Sequence, residues 1–153
     1  MEKKRDLARR LMLSVNKVDE IYYAIGKSIG VKENTLTLLY ALDDGKPHTQ
    51  KQICSEWLIP KTTINTVVRE CALEGYVTLI RRDGTREKQL VLTRRGSEYA
   101  RDVLSLLYEV EDRAMLKALE RAKSEFVEAM ELFVRAMEEE ARRALGKNSA
   151  GDR

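Results

Sequence analysis

The chain has 153 residues, 43% hydrophobic and 35% charged, with a net charge of +3. That is one domain's length with material for a real core, and eight glycines and two prolines are too few for a linker-rich or low-complexity protein. No apolar run approaches the roughly 18 residues that span a bilayer, and the start MEKKRDLARR lacks a signal-peptide stretch, so a cytoplasmic location is expected. Two cysteines and one histidine make neither a disulfide framework nor a zinc cluster. With no nucleophile–base motif and no Gly-rich phosphate loop, neither an enzyme nor a cofactor is expected.

From Leu7 to about Ile29, apolar residues recur every three or four positions (Leu7, Leu11, Val15, Val18, Tyr22, Ile25), which predicts a helix closed by Gly30. A second helix is expected from about Lys32 to Asp44, with Leu36, Leu39 and Leu42 on one side, until DGKP at 44–47 breaks it. Thr49 and Gln52 have capping-box spacing and open a short helix that turns Ile53 and Trp57 inward. After LIP, Pro60 starts another helix, at a position where its missing N–H is harmless, and Gly75 is the expected left-handed cap. Two strand-like runs follow, YVTLI and KQLVLT, joined by RRDGTRE, whose Asp-Gly is a hairpin signal.

The last third reads as helical. Thr93 is a candidate cap, with Tyr99, Val103, Leu106, Val110 and Ala114 in one apolar stripe. Phe126, Met130, Phe133, Met137, Ala141 and Leu145 form a second stripe, and residues 147–153 are expected to fray. The predicted fold is mainly α with a small β-hairpin wing, a winged helix-turn-helix within one domain.

Charge is unevenly spread. Between Lys46 and Arg95 ten Lys and Arg face five acids, so the rest of the chain is net acidic and a polyanion partner is expected at the middle third. On the helix that Pro60 opens, Ile64, Val67, Val68 and Cys71 share one face, while Thr62, Asn65, Thr66 and Arg69 fall nearly opposite. Asn pairs with adenine, Arg with guanine, and Thr offers base edges a hydroxyl and a methyl. Lys61 and Thr63 flank the stripe at the helix N-terminus, which favours phosphate. Arg82, Arg86 and Lys88 in the hairpin suit a minor groove, and Thr49 and Gln50 complete the candidate DNA contacts.

The stretch from TQKQI through IPKTTINTVVRECALEGYV to LTRRG resembles the DNA-binding core of the MarR family of regulators. The resemblance covers about residues 5–146 and implies a homodimeric transcriptional regulator, a repressor on a pseudo-palindromic operator. Residues 32–95 would form the DNA-binding region, and 5–30 with 97–146 the interlocking dimerisation helices. It also implies that a small aromatic or phenolic effector can release DNA, and Tyr22, Tyr23 and Trp57 are the candidate ligand contacts. The family wing commonly carries Asp, one residue, then Arg, whereas here Gly84 and Thr85 separate Asp83 from Arg86. Peroxide-sensing relatives use a first-helix cysteine that this chain lacks, so no redox switch is expected. Two alternatives to specific DNA reading are a winged-helix protein-interaction module and a non-specific nucleic-acid binder; exposed apolar side chains would favour the first, and wholly electrostatic binding the second.

Overall fold

The computed structural model describes residues 2–81 and 87–148. Among them run six helices and three short strands: α1 (Glu2–Ile29), α2 (Glu33–Leu42), β1 (His48–Thr49), α3 (Gln50–Glu56), α4 (Lys61–Leu73), β2 (Val77–Arg81), β3 (Lys88–Leu92), α5 (Arg94–Ala122) and α6 (Glu125–Asn148). The chain divides into two compact units, Met1–Glu109 and Val110–Arg153, with the boundary inside α5.

The first unit holds two cores that share α2. Leu38 and Leu42 pack with Ile53, Ile64, Val67, Val68, Val77 and Leu90 under the helix-turn-helix. Leu36 and Leu39 pack with Ala100, Leu104 and Leu107 of α5, and Ile25 and Ile29 of α1 join them. A helix buried on both sides is a hub, not an amphipathic surface helix. The expected single-sided stripe of Leu36, Leu39 and Leu42 is therefore incomplete, because Leu38 is as deeply buried as any of them.

The sheet is antiparallel in the order β1-β3-β2. Two-residue β1 pairs His48 with Leu90 and Thr49 with Gln89, and this attaches the start of α3 to the wing. Next to it, Asp44 Oδ1 lies 2.9 Å from His48 Nε2 and accepts the Lys46 amide at 2.9 Å. Burial alone would raise the Asp44 carboxyl, but these bonds and the nearby positive charge hold it below its ordinary value.

Two expectations are corrected. Trp57 does not turn inward: it is the C-cap of α3, 40% exposed, and its ring meets Tyr40 edge-on at 5.3 Å. On α5 the buried line is Gly96, Ala100, Leu104 and Leu107, while Leu106 and Val110 of the expected stripe are exposed. At its start that face requires glycine, because α5 approaches the Tyr76 backbone closely there. A Cβ on Gly96 would fall 1.8 Å from the Tyr76 carbonyl oxygen.

In the second unit, the end of α5 and α6 are joined at Lys123, whose φ is +54°. No described residue of this unit is fully buried within the single chain, and Leu116, Leu132 and Leu145 are each more than 60% exposed. No described helix is long and apolar enough to cross a membrane.

Candidate nucleic-acid interface and ligand cleft

Helix α4 starts and stops where local chemistry says it should. Pro60 is the N-cap, and its carbonyl accepts the Ile64 amide at 2.9 Å. At the far end Gly75 takes φ +75°, the Tyr76 amide donates to the Cys71 carbonyl at 2.8 Å, and the Gly75 amide donates to the Ala72 carbonyl at 3.0 Å. This is the glycine-terminated Schellman arrangement.

Between those ends the helix has two faces. Ile64, Val67, Val68 and Cys71 are buried, while Thr62, Asn65, Thr66 and Arg69 are exposed together with Lys61; Thr63 is half-buried. The Thr66 hydroxyl bonds back to the Thr62 carbonyl at 3.4 Å. The acids of α4 are held off the exposed stripe by cations from other elements. Lys32 Nζ reaches Glu70 at 3.1 Å, and Arg95 reaches Glu74 at 4.0 Å. Exposed pairs of this kind stabilise the fold little, but they offset the negative charge beside the stripe. Among the described residues Arg69 is in no ion pair.

Ahead of it, α3 is opened by the predicted capping box. The Gln52 amide donates to the Thr49 hydroxyl at 3.1 Å, and the Thr49 amide donates to Gln52 Oε1 at 2.8 Å. Thr49 is buried, with its hydroxyl accepting within the cap. Gln50 is half-buried. Lys51, absent from the sequence candidates, is exposed on α3; a cation beside Gln50 on a polar face was the available signal.

In the wing, Arg81 and Lys88 lie directly opposite each other across β2 and β3, and both are exposed. Like charges facing across a strand pair cost stability unless an anion lies between them. Arg82 and Arg86, with the Asp83–Gly84 tip, lie outside the described residues. The base of the wing is knotted to α5 through Thr93. Its hydroxyl donates to the Gly75 carbonyl at 2.6 Å and accepts the Gly96 amide at 2.9 Å, while its amide donates to the Tyr76 carbonyl at 3.0 Å. Tyr76 stacks on Tyr99 at 4.2 Å, with the Arg95 guanidinium 5.3 Å from the Tyr76 ring centre.

Tyr22, Tyr23 and Trp57 come together. They line a cleft of about 830 Å³ between α1, α2 and the end of α3, with Tyr40 beside Trp57. Its polar groups are Asp19, Lys27, Glu33 and Thr37, and its apolar wall includes Leu36 and Leu107. Sequence reasoning missed Asp19, Lys27 and Tyr40. The first two stand four residues either side of Tyr23 and so share its helix face, a spacing that could have found them. Cys54 is half-buried and Cys71 buried. Burial, then Glu70 and Glu74, pushes the Cys71 thiol up, away from the reactive thiolate. No described cluster of His, Cys, Asp or Glu could hold a metal ion.

Residues 29–86 match the sequence model of the MarR family. No curated protein matches the sequence. Among solved structures, a MarR family regulator from Neisseria meningitidis aligns with a TM-score of 0.72 at 23% identity, covering 94% of this chain and 99% of that one. The transcription regulator MarR from Oenococcus oeni PSU-1 aligns at 0.62 and 20% identity, over 87% and 98% of the two chains. NadR in complex with 4-hydroxyphenylacetate aligns at 0.65 and 12% identity, over 82% and 88%. At these identities the likeness is one of fold.

Proposed function

We propose that this chain, whose residues 29–86 match the sequence model of the MarR family, is a homodimeric, sequence-specific DNA-binding regulator, a repressor released by a small ligand. One observation carries the reading. Thr62, Asn65, Thr66 and Arg69 stand exposed along α4, opposite a buried apolar face, with the neighbouring acids Glu70 and Glu74 tied to cations. Such a helix enters a major groove with Asn65 and Arg69 as base readers and Thr62 and Thr66 beside them. Lys61, Thr63 and Gln50 serve the phosphates around it. Lys88, with Arg82 and Arg86 on sequence grounds, serves the adjacent minor groove.

Dimerisation follows from what the single chain leaves uncovered. Leu13 of α1 and Leu116, Leu132 and Leu145 of the second unit are large, apolar and more than 60% exposed. On α5 and α6 the second unit leaves its apolar side chains open along both helices, and a second copy would cover them. Two α4 helices then read half-sites one helical turn apart.

The cleft supports regulation. It is walled by α1 and α2 on one side and by Trp57, the last residue before the α3–α4 turn, on the other. A ligand there bridges the dimerisation helix and the reading head. It releases DNA by favouring a dimer geometry whose α4 helices no longer match the groove spacing. NadR, which shares the fold, holds an aromatic acid.

The test is to select bound duplexes from a random pool and compare the wild type with Asn65→Ala and Arg69→Ala on the winner and on random DNA. The reading expects large losses on the selected site and small ones elsewhere. If no sequence is enriched, and binding to every duplex falls alike with salt, the protein is a non-specific binder and the reading fails.

A further inference from the structure

We infer that the cleft takes a lipophilic organic cation in preference to an aromatic carboxylate. The inference rests on the reading above that this cleft is the ligand site. Four aromatic residues line it: Tyr22 and Tyr23 from α1, Tyr40 from α2, and Trp57 beyond α3. Ring faces are electronegative and attract cations that have shed their water, Trp most strongly, and several rings round one space form the cage that binds organic ammonium groups.

The charged groups agree with the rings. Asp19 and Glu33 line the cleft against Lys27 alone, so it is net negative in a chain whose overall charge is +3. Among the described residues neither Asp19 nor Glu33 is in an ion pair. A bound carboxylate would lie beside two like charges, with one lysine to offset them. The N-terminus of α2 offers an anion little help, because Glu33 already occupies its first turn. At about 830 Å³ the cleft is near the upper end for small-molecule sites. It accommodates a bulky multi-ring ion as well as a benzoate-sized one.

Tetraphenylphosphonium and tetraphenylborate test this, being nearly identical in shape and opposite in charge. Trp57 is the only tryptophan, so its fluorescence in the full chain without DNA reports the cleft directly. The protein's positive net charge by itself favours the borate, so a preference for the phosphonium has to come from the cleft. The phosphonium should bind saturably and at least about tenfold tighter, as a desolvated cation against several rings requires. Asp19→Asn with Glu33→Gln should abolish most of that preference, while Lys27→Ala should increase it; a variant that merely misfolds cannot produce the second result. Equal or tighter borate binding, or a preference that survives neutralisation of both acids, overturns the cation site. Phosphonium binding with no change in DNA affinity would uphold the cation site and overturn only its regulatory role.

Discussion

Replacing Gly96 with alanine should unseat α5 from the wing. The added Cβ would sit 1.8 Å from the Tyr76 carbonyl oxygen, 2.7 Å from its carbon and 3.0 Å from its Cα. These are backbone atoms with no rotamer to turn away, so the helix start or the wing base must move. Overpacking of this sort costs about 3 kcal/mol, the upper end of its usual range. Displacing the carbonyl weakens its bond from the Thr93 amide, worth about 1 kcal/mol, while alanine's better helix propensity returns up to about 1 kcal/mol. The net expectation is a loss of about 3 kcal/mol, or roughly 6–12 °C in Tm for a chain of this size. Gly26→Ala is the internal control. Its Cβ meets only Leu36 Cδ2 at 3.4 Å, an ordinary contact with a side chain that can adjust, so it should be neutral or stabilising by up to about 1 kcal/mol. Urea and thermal unfolding at fixed protein concentration measure both, the concentration being held because the proposed dimerisation would couple to stability. If Gly96→Ala matched or exceeded the wild type, α5 would not be seated on Tyr76, and the account of the wing base would be wrong.

Asn65→Ala and Arg69→Ala should each weaken binding to a selected site by roughly 1–3 kcal/mol in a gel-shift titration, with little effect on random DNA. Arg86→Ala should instead weaken binding to all duplexes and flatten the salt dependence by about one charge, read from the slope of affinity against salt. Sedimentation at micromolar concentration should find a dimer; a folded monomer would leave the exposed leucines of the second unit unexplained. Cys71, buried with its thiol pushed up, should react with a thiol reagent only on unfolding, after half-buried Cys54 has reacted. The Asp44–His48 contact should be retained at neutral pH. Because the folded carboxyl titrates below its ordinary value, its stabilisation is fully present above the usual aspartate range and lost as pH falls through the depressed value; Asp44→Asn should flatten the acid limb of a stability–pH curve.

Helix α4 was legible in the sequence because everything that defines it acts within a few residues. Pro60 and Gly75 set its ends, and a 3.6-residue period separates buried Ile64, Val67, Val68 and Cys71 from exposed Thr62, Asn65, Thr66 and Arg69. The Thr49–Gln52 box was local in the same way, although only its geometry showed that Thr49's hydroxyl accepts within the cap. Tertiary structure alone decided the rest. Period counting cannot describe α2, because a helix between two cores buries Leu38 as well as Leu36, Leu39 and Leu42 and so has no polar stripe to reveal its orientation. The two residues of β1 are too few to leave any alternation. On α5 the buried line ran through Gly96, Ala100, Leu104 and Leu107 rather than Leu106 and Val110, and its start at Gly96 is set by the close approach to the Tyr76 backbone, which no periodicity count reveals. Trp57 could be tied to Tyr22 and Tyr23 as a ligand contact, but whether a cleft lay between them, and that Asp19 and Glu33 would give it negative charge, depended on how α1 and α2 pack.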